Sequence, residues 1–326
     1  MKKRVGVLMG GPSAERDISI KSGKAVRAAL LNKGIDAVPV ELEKAPNYSL
    51  RSGTGQARDM NGYKELAEKK IRFFNINAAF IALHGSFGED GQVQEILEKM
   101  KIPYTGSKVS ASKLGMDKAS SKIQFESNNI PVPRYKVMHK PELDKVPEAR
   151  VYFKELGTPL VIKPCCEGSS IGLSIIDRED DFQEALLTAF RYSDRVIIEE
   201  YAKGREITVG ILEDKALPIV EIVPKKRFFD FEAKYQKGLT EYIVPAGIEK
   251  AKYLECQNTG LAAHKALAAR FFSRVDMILL DSGAPVVLEV NTVPGLTEIS
   301  LLPKAAQAAG IDFEKLILKI MESTLW

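Results

Sequence analysis

Residues 4–9 read RVGVLM, a short apolar run that stops at Gly10 and Gly11. A strand buried on both faces of a parallel sheet runs out into a loop in this way. A helix is expected next. Over residues 18–32, Val26, Ala29 and Leu30 share one helical face, and Gly34 occupies the place of a left-handed cap. A strand follows at 37–42. Residues 43–63 turn polar and glycine-bearing, which predicts a surface loop. The unit then repeats: an apolar run at 78–83, the loop HGSFGEDG, and Val93, Ile96, Leu97 and Met100 at helical spacing. Strand, glycine loop and helix in succession predict a doubly wound α/β domain ending near residue 117.

From Lys118 onward the pattern changes to short strands interrupted by glycine and charge: 160–164 (LVIKP), 196–201 (VIIEEY), 206–212 (EITVGIL), 217–223, 277–280 and 286–291. A helical stretch near 250–272 and a helical C-terminus accompany them. This predicts α+β structure in two parts, a small central one over 118–199 and a larger one over 200–326. No internal repeat or low-complexity tract is visible.

The segment RVDMILLDSGAPVVLEVN holds two apolar runs around Asp281–Ser282–Gly283–Ala284, a hairpin signal. Centring the turn between Ser282 and Gly283 pairs Asp276 with Glu289 and Arg274 with Asn291, all on one face because strand side chains repeat every two residues. Opposed carboxylates about 5 Å apart repel unless a cation or proton lies between them. Two readings fit this spacing. Two carboxylates and an amide oxygen are hard ligands suited to magnesium at nucleotide phosphates; alternatively, Arg274 neutralises Asp276 and Glu289 as an ion-pair cluster.

Charge narrows the function classes. The 326 residues carry 47 basic and 43 acidic side chains, a net +4, which is too balanced for a nucleic-acid binder. The short cluster Lys225, Lys226, Arg227 reads as a solvated face or an anion contact. Only five apolar residues follow the N-terminal lysines, too few for a signal peptide or a span, so a cytoplasmic location is expected. Three cysteines, two of them adjacent (Cys165, Cys166), make neither a disulfide framework nor a zinc spacing.

KPCCEGSSIG, residues 163–172, follows an apolar strand and places small residues where backbone N–H groups can approach phosphate, or else it is a surface hairpin. It lacks the Gly-Lys-Ser/Thr ending of a P-loop, and the loop at 10–13 lacks GxGxxG. His84 follows a buried strand at the carboxyl edge of the first sheet, where open α/β sheets bind ligands, although a structural histidine also fits there.

In order along nearly the whole chain, GGPSAERDIS (10–19), HGSFGEDGQVQ (84–94), YTGS (104–107), MDK (116–118), KPCCEGSSIGLS (163–174), EAKY (232–235), TEYIVPA (240–246), SRVD (273–276) and LEVNTVPGLTEISLLP (288–303) resemble the motifs of the D-alanine–D-alanine ligase family. The resemblance implies a two-part ATP-grasp fold behind the α/β domain. ATP is expected between the central and last parts: Lys118, Lys163 and Lys234 on its phosphates, the loop Glu167, Gly168, Ser169, Ser170 covering them, Glu199, Tyr201 and Ala202 at adenine, and Glu206 at ribose. Asp276, Glu289 and Asn291 match a site for two Mg2+ ions, or Mn2+, so the resemblance favours the metal reading.

For substrate, the resemblance puts Glu15 on the amino group of the first D-alanine, in a hydrogen-bonded group with Ser169 and Tyr235, with His84 nearby. Arg274 and the backbone of Gly295 match oxyanion-stabilising positions, and Ser300 with Leu301 those that receive the second carboxylate; Pro303 suits the first turn of a helix, whose N-terminus favours anions. The implied reaction is ATP-dependent formation of D-alanyl-D-alanine for peptidoglycan through an acyl phosphate, by a homodimer joined through the first domain. EAKY resembles the dipeptide-forming members. A ligase with D-serine, D-lactate or another second substrate, or a nucleotide-binding relative without turnover, are the alternatives. Glu95, where the family usually has glycine, and Cys165 and Cys166 depart from the pattern at positions with no implied chemical role.

Overall fold

The computed structural model describes residues 4–44, 56–140, 148–224 and 240–325. The chain opens with β1 (Val5–Gly10), α1 (Arg16–Asn32), β2 (Ala37–Leu42), α2 (Gln56–Phe73), β3 (Ala78–Ile81) and α3 (Gln92–Lys99). The three strands form a parallel sheet ordered β2-β1-β3, with Val5 beside both Ala37 and Ala78. All six residues of β1 are buried, as its unbroken apolar run predicts. Strand order reverses beside β1, so the loops after β1 and β3 open into one crevice at the carboxyl edge. Gly10 ends β1 at φ +85°, where a Cβ would lie 2.6 Å from the Leu42 carbonyl oxygen. The Ser19 hydroxyl accepts from Gly10 N–H and donates to the Ala82 carbonyl, tying the two loops together.

Two expectations change here. The polar stretch at 43–63 is not loop throughout: α2 begins at Gln56, and Tyr63, Ala67 and Ile71, four residues apart, are its buried stripe. Polar residues around Gly62 dilute that stripe in the sequence. Helices also precede the strands of the central part, α4 (Val109–Met116) and α5 (Lys118–Ser127), the second capped by Asp117, whose carboxylate accepts from Ser120 N–H.

The central strands β4 (Tyr135–His139), β5 (Leu160–Pro164), β6 (Ser174–Ile176) and β7 (Arg195–Glu200) form an antiparallel sheet ordered β4-β7-β5-β6, covered by α6 (Ala149–Leu156) and α7 (Phe182–Ala189). Three residues later a second antiparallel sheet begins. It comprises β8 (Gly204–Leu212), β9 (Lys215–Ala216), β10 (Val220–Pro224), β11 (Thr240–Ile243), β12 (Phe272–Leu280) and β13 (Pro285–Asn291), ordered β11-β10-β8-β12-β13 with β9 on β8. α8 (Lys250–Ala266) buries Cys256, Gly260 and Ala263 against this sheet and ends earlier than the expected 272. β10 starts at Val220, later than the expected 217.

The last helices, α9 (Leu301–Ala308) and α10 (Phe313–Leu325), return to the first sheet. Leu316, Ile317, Ile320 and Met321 of α10 share a core with Val26, Ala29 and Leu30 of α1. The C-terminus therefore completes the packing of the helix that follows the first glycine loop.

Candidate active site

Glu15 immediately precedes α1, so its carboxylate stands at a helix N-terminus, where the dipole favours an anion. The Ser169 hydroxyl donates to Glu15 Oε1, joining residues far apart in sequence. Ser169 and Ser170 both adopt left-handed backbone, φ +51° and +59°, in a tight turn closed by Ile171 N–H on the Gly168 carbonyl at 3.1 Å. Non-glycine residues pay about 1–2 kcal/mol each for that conformation, and such strain collects at functional loops. Glycines flank the carboxylate closely: a Cβ on Gly85 or Gly168 would come within 2.8 and 2.9 Å of Glu15 Oε2 and displace it from this position, and Gly85 also has a left-handed φ of +68°.

His84 is buried beside this group. Its Nδ1 faces the Val293 carbonyl at 3.0 Å and its Nε2 the Ser22 hydroxyl at 3.0 Å, with Glu89 Oε1 3.8 Å from Nδ1. Burial works against an imidazolium, but Glu89, Glu15 and the Val293 carbonyl outweigh it and hold the imidazole above its ordinary value. Ser22, which the sequence reading passed over, also accepts from Leu296 N–H, so it links His84 to the loop after β13.

The second group lies around the central sheet. Lys163, on β5, meets Glu199 of β7 at 2.5 Å, and Lys122 of α5 meets the other oxygen of Glu199 at 3.1 Å. Lys118 donates to the Glu167 carbonyl at 2.6 Å and pairs with Glu289 at 3.0 Å. Burial opposes the Lys118 charge, yet Glu289 keeps its ammonium above the ordinary value. Burial lifts the Glu167 carboxyl to about 7, with Glu15 and Asp90 adding to the rise and Lys118 opposing it. Near neutral pH Glu167 is thus part-protonated, which reduces its repulsion of an anion at this loop. The Cys165 thiol is buried and pushed up to about 12 by desolvation, so it is not a nucleophile.

The third group is the hairpin. Asp276 lies opposite Glu289 and Arg274 opposite Asn291, the expected pairs. Two departures from the expected path cancel to give them. The loop is the three residues Asp281–Ser282–Gly283, centred on Ser282 instead of between 282 and 283, with Gly283 at φ +86° and Leu280 N–H on the Ala284 carbonyl. A bulge between Asp276 and Met277 then restores the register. Arg274 grips Asp276 with two bonds, 2.8 and 2.7 Å, and Thr208 and Asn291 add 2.7 and 3.0 Å contacts. The ion-pair arrangement therefore exists between Arg274 and Asp276, and Glu289 pairs with Lys118.

Gly295 and Ser300 bound the loop leading into α9. A Cβ on Gly295 would lie 3.0 Å from Ser300 Oγ. That hydroxyl accepts from Thr297 N–H at 3.1 Å and does not cap α9, and Pro303 in the first turn has no N–H, so the anion-facing donors of this terminus are those of Leu301 and Leu302. Tyr201, Ala202 and Glu206 lie at the crossing from β7 to β8, the passage between the two antiparallel sheets. Lys234 and Tyr235, with Lys225, Lys226 and Arg227, lie outside the described residues.

Known proteins show the same organisation. The family model described as D-ala D-ala ligase N-terminus matches residues 4–107, and the one described as D-ala D-ala ligase C-terminus matches residues 124–322. A D-alanine–D-alanine ligase of Geotalea uraniireducens (strain Rf4) is 44% identical over 319 residues, covering 98% of this chain and 94% of that one. The chain belongs to the D-alanine–D-alanine ligase family.

Solved structures carry that family fold over the full length. D-alanine–D-alanine ligase from Bacillus anthracis complexed with ATP is 36% identical with a TM-score of 0.82, covering 100% of this chain and 97% of that one. VanG D-Ala:D-Ser ligase from Enterococcus faecalis is 26% identical with a TM-score of 0.82, covering 100% of both. The parallel sheet followed by two antiparallel ones is the ATP-grasp arrangement of these ligases, as expected from the motifs. Beyond the family motifs, Ser22, Lys122 and Thr208 each touch a site residue. Lys122 had a readable signal: it stands four residues after Lys118, on the same face of α5. Ser22 and Thr208 had none, because single hydroxyls gain their role only from the tertiary contacts. No described helix is long and apolar enough to cross a membrane.

Proposed function

We propose that this chain joins two D-alanine molecules into D-alanyl-D-alanine at the expense of ATP, supplying a peptidoglycan precursor from the cytoplasm. Full-length similarity to D-alanine–D-alanine ligases carries this reading. Residues 1–117 bind the first substrate; 118–199 and 200–326 hold ATP between their sheets. The carboxylate of the first D-alanine attacks the γ-phosphorus, ADP leaves, and an acyl phosphate forms. The amine of the second D-alanine attacks its carbonyl carbon, loses a proton, and phosphate departs.

Each chain residue has a task in that sequence. Glu15, oriented by Ser169 and Tyr235, receives the ammonium of the first D-alanine, with His84 beside it. Lys118, Lys163 and Lys234 offset phosphate charge beneath the loop of Glu167, Gly168 and Ser170. Glu199, Tyr201 and Ala202 hold adenine and Glu206 the ribose. Arg274 and Gly295 N–H stabilise the tetrahedral oxyanion, a donor of this kind being worth about 3 kcal/mol. Ser300 and Leu301 receive the second carboxylate at the N-terminus of α9. Water is kept from the acyl phosphate by closure over the serine turn.

Asp276, Glu289 and Asn291 would hold the magnesium ions. The donor set fits: two carboxylates and an amide on one sheet face, with the Asn291 amide 3.0 Å from Asp276. Bound there, magnesium supplies positive charge to the phosphates. Lys118 then exchanges Glu289 for phosphate.

The chain pairs with a second copy through its first domain. Leu66 and Phe73, seven residues apart on α2, are 58% and 83% exposed there, which supports this reading. Analytical ultracentrifugation should give twice the chain mass; a monomer at micromolar concentration rules the pairing out.

The reaction is tested by phosphate release from ATP and magnesium. Release should require D-alanine and yield D-alanyl-D-alanine; none with D-alanine sinks the proposal. Because VanG D-Ala:D-Ser ligase shares the fold, D-serine and D-lactate are tested as second substrates. Mixed products exceeding D-alanyl-D-alanine would move the assignment to a ligase of that second substrate.

A further inference from the structure

Two lysines and one carboxylate are buried together between α5 and the central sheet. Lys122 is 0% exposed, and Lys163 and Glu199 are nearly as deep. Among these three groups the cations outnumber the carboxylate by one, with Glu126 adding a weaker negative charge on Lys122 from outside the cluster, and burying such an imbalance is costly unless an anion completes it. Lys163 holds Glu199 Oε1 at 2.5 Å. Lys122 faces Oε2 at 3.1 Å but off the hydrogen-bonding directions, so that neither Lys122 Nζ nor Glu199 Oε2 has a well-aligned partner. The Tyr135 ring lies 5.1 Å from the Lys122 ammonium, and Lys163 and Glu126 act on it at longer range. Lys163 keeps a small exposed surface at 7%, whereas Lys122 has none.

We propose that Lys122 is a positioning residue for nucleotide binding: it takes over Glu199 when Lys163 turns to a phosphate, so that Lys163 is released without stranding a buried carboxylate. This rests on the reading that Lys163 binds ATP phosphate. The excess charge is then the vacancy an anion fills, and the misaligned contact is the one that tightens. Burial, together with Lys163, lowers the proton affinity of Lys122 despite Glu199; the two ammonium groups overcome burial and keep Glu199 below its ordinary value. A fully ionised Glu199 is what a second cation beside it preserves.

The test separates this role from a structural one. In Lys122→Met, Lys163 and Glu199 remain as a balanced pair, so the thermal midpoint should hold or rise. ATP must then break a pair with no replacement partner. KM for ATP and the competitive Ki of ADP should rise about tenfold, more than kcat falls, while the Ki of adenosine, which has no phosphate, changes less than twofold. Lys122→Arg should recover most of the ADP affinity. Equal weakening of ADP and adenosine, unchanged ADP binding, or a Lys122→Met chain that does not fold each overturns the inference. Lys163→Met is measured alongside: unchanged KM for ATP there removes the underlying phosphate assignment, whereas raised KM there with no change in Lys122→Met removes only the role of Lys122.

Discussion

Glu289→Gln lowers magnesium-dependent phosphate release by about 10³-fold in kcat/KM while the chain stays folded. The amide keeps the volume and one oxygen but removes the charge that a hard divalent ion needs, and losing the electrostatic work of a bound metal is worth several kcal/mol, about 4 for a thousandfold change. Folding survives because Lys118, the partner of Glu289, retains the Glu167 carbonyl at 2.6 Å and a Gln oxygen can still accept from it. The loss should be partly recovered by raising magnesium concentration. Wild-type turnover at low magnesium would remove Glu289 from the metal site, and a collapsed circular dichroism spectrum would show that its role is in folding.

Glu199→Gln destabilises the chain by about 3–5 kcal/mol, because it leaves the Lys122 and Lys163 ammonium groups buried and facing each other without a carboxylate. At about 2 °C per kcal/mol for a chain of this size, the thermal midpoint falls by about 6–10 °C. The asymmetry with Lys122→Met is the informative part: removing the one anion strands two cations, while removing one of two cations leaves a matched pair. A Glu199→Gln chain as stable as wild type would mean that the lysines neutralise themselves cheaply by losing a proton, and the midpoint would then drop only below neutral pH.

Much of this was legible in the sequence because local signals agreed with the fold. β2 and β5 have the expected bounds, since glycine or polar residues flank compact apolar runs. The pairing of Asp276 with Glu289 was also legible, though the route to it was not: a loop centred on Ser282 and a bulge are each invisible to period-two counting, and only their cancellation preserved the result. α2 was hidden because a three-residue apolar stripe in a polar helix reads as loop until the sheet it covers is known. In the site, Glu15 and Ser169 are adjacent only through tertiary packing, so their partnership came from family motifs and not from spacing. Lys122 was missed for a different reason. Its spacing of four from Lys118 puts both on one face of α5, but that spacing does not show that the face meets a buried carboxylate.

The packing of α10 on α1 sets an order of events during synthesis. At ~5–20 residues per second, a chain of 326 residues leaves the ribosome over roughly 16–65 s. The first sheet emerges early but keeps the apolar face of α1 exposed until residues 313–325 arrive. Nascent chains therefore wait with Glu15 on an incompletely anchored helix, and loss of the codons for residues 313–325 would leave a hydrophobic surface for chaperones and proteases rather than a trimmed enzyme.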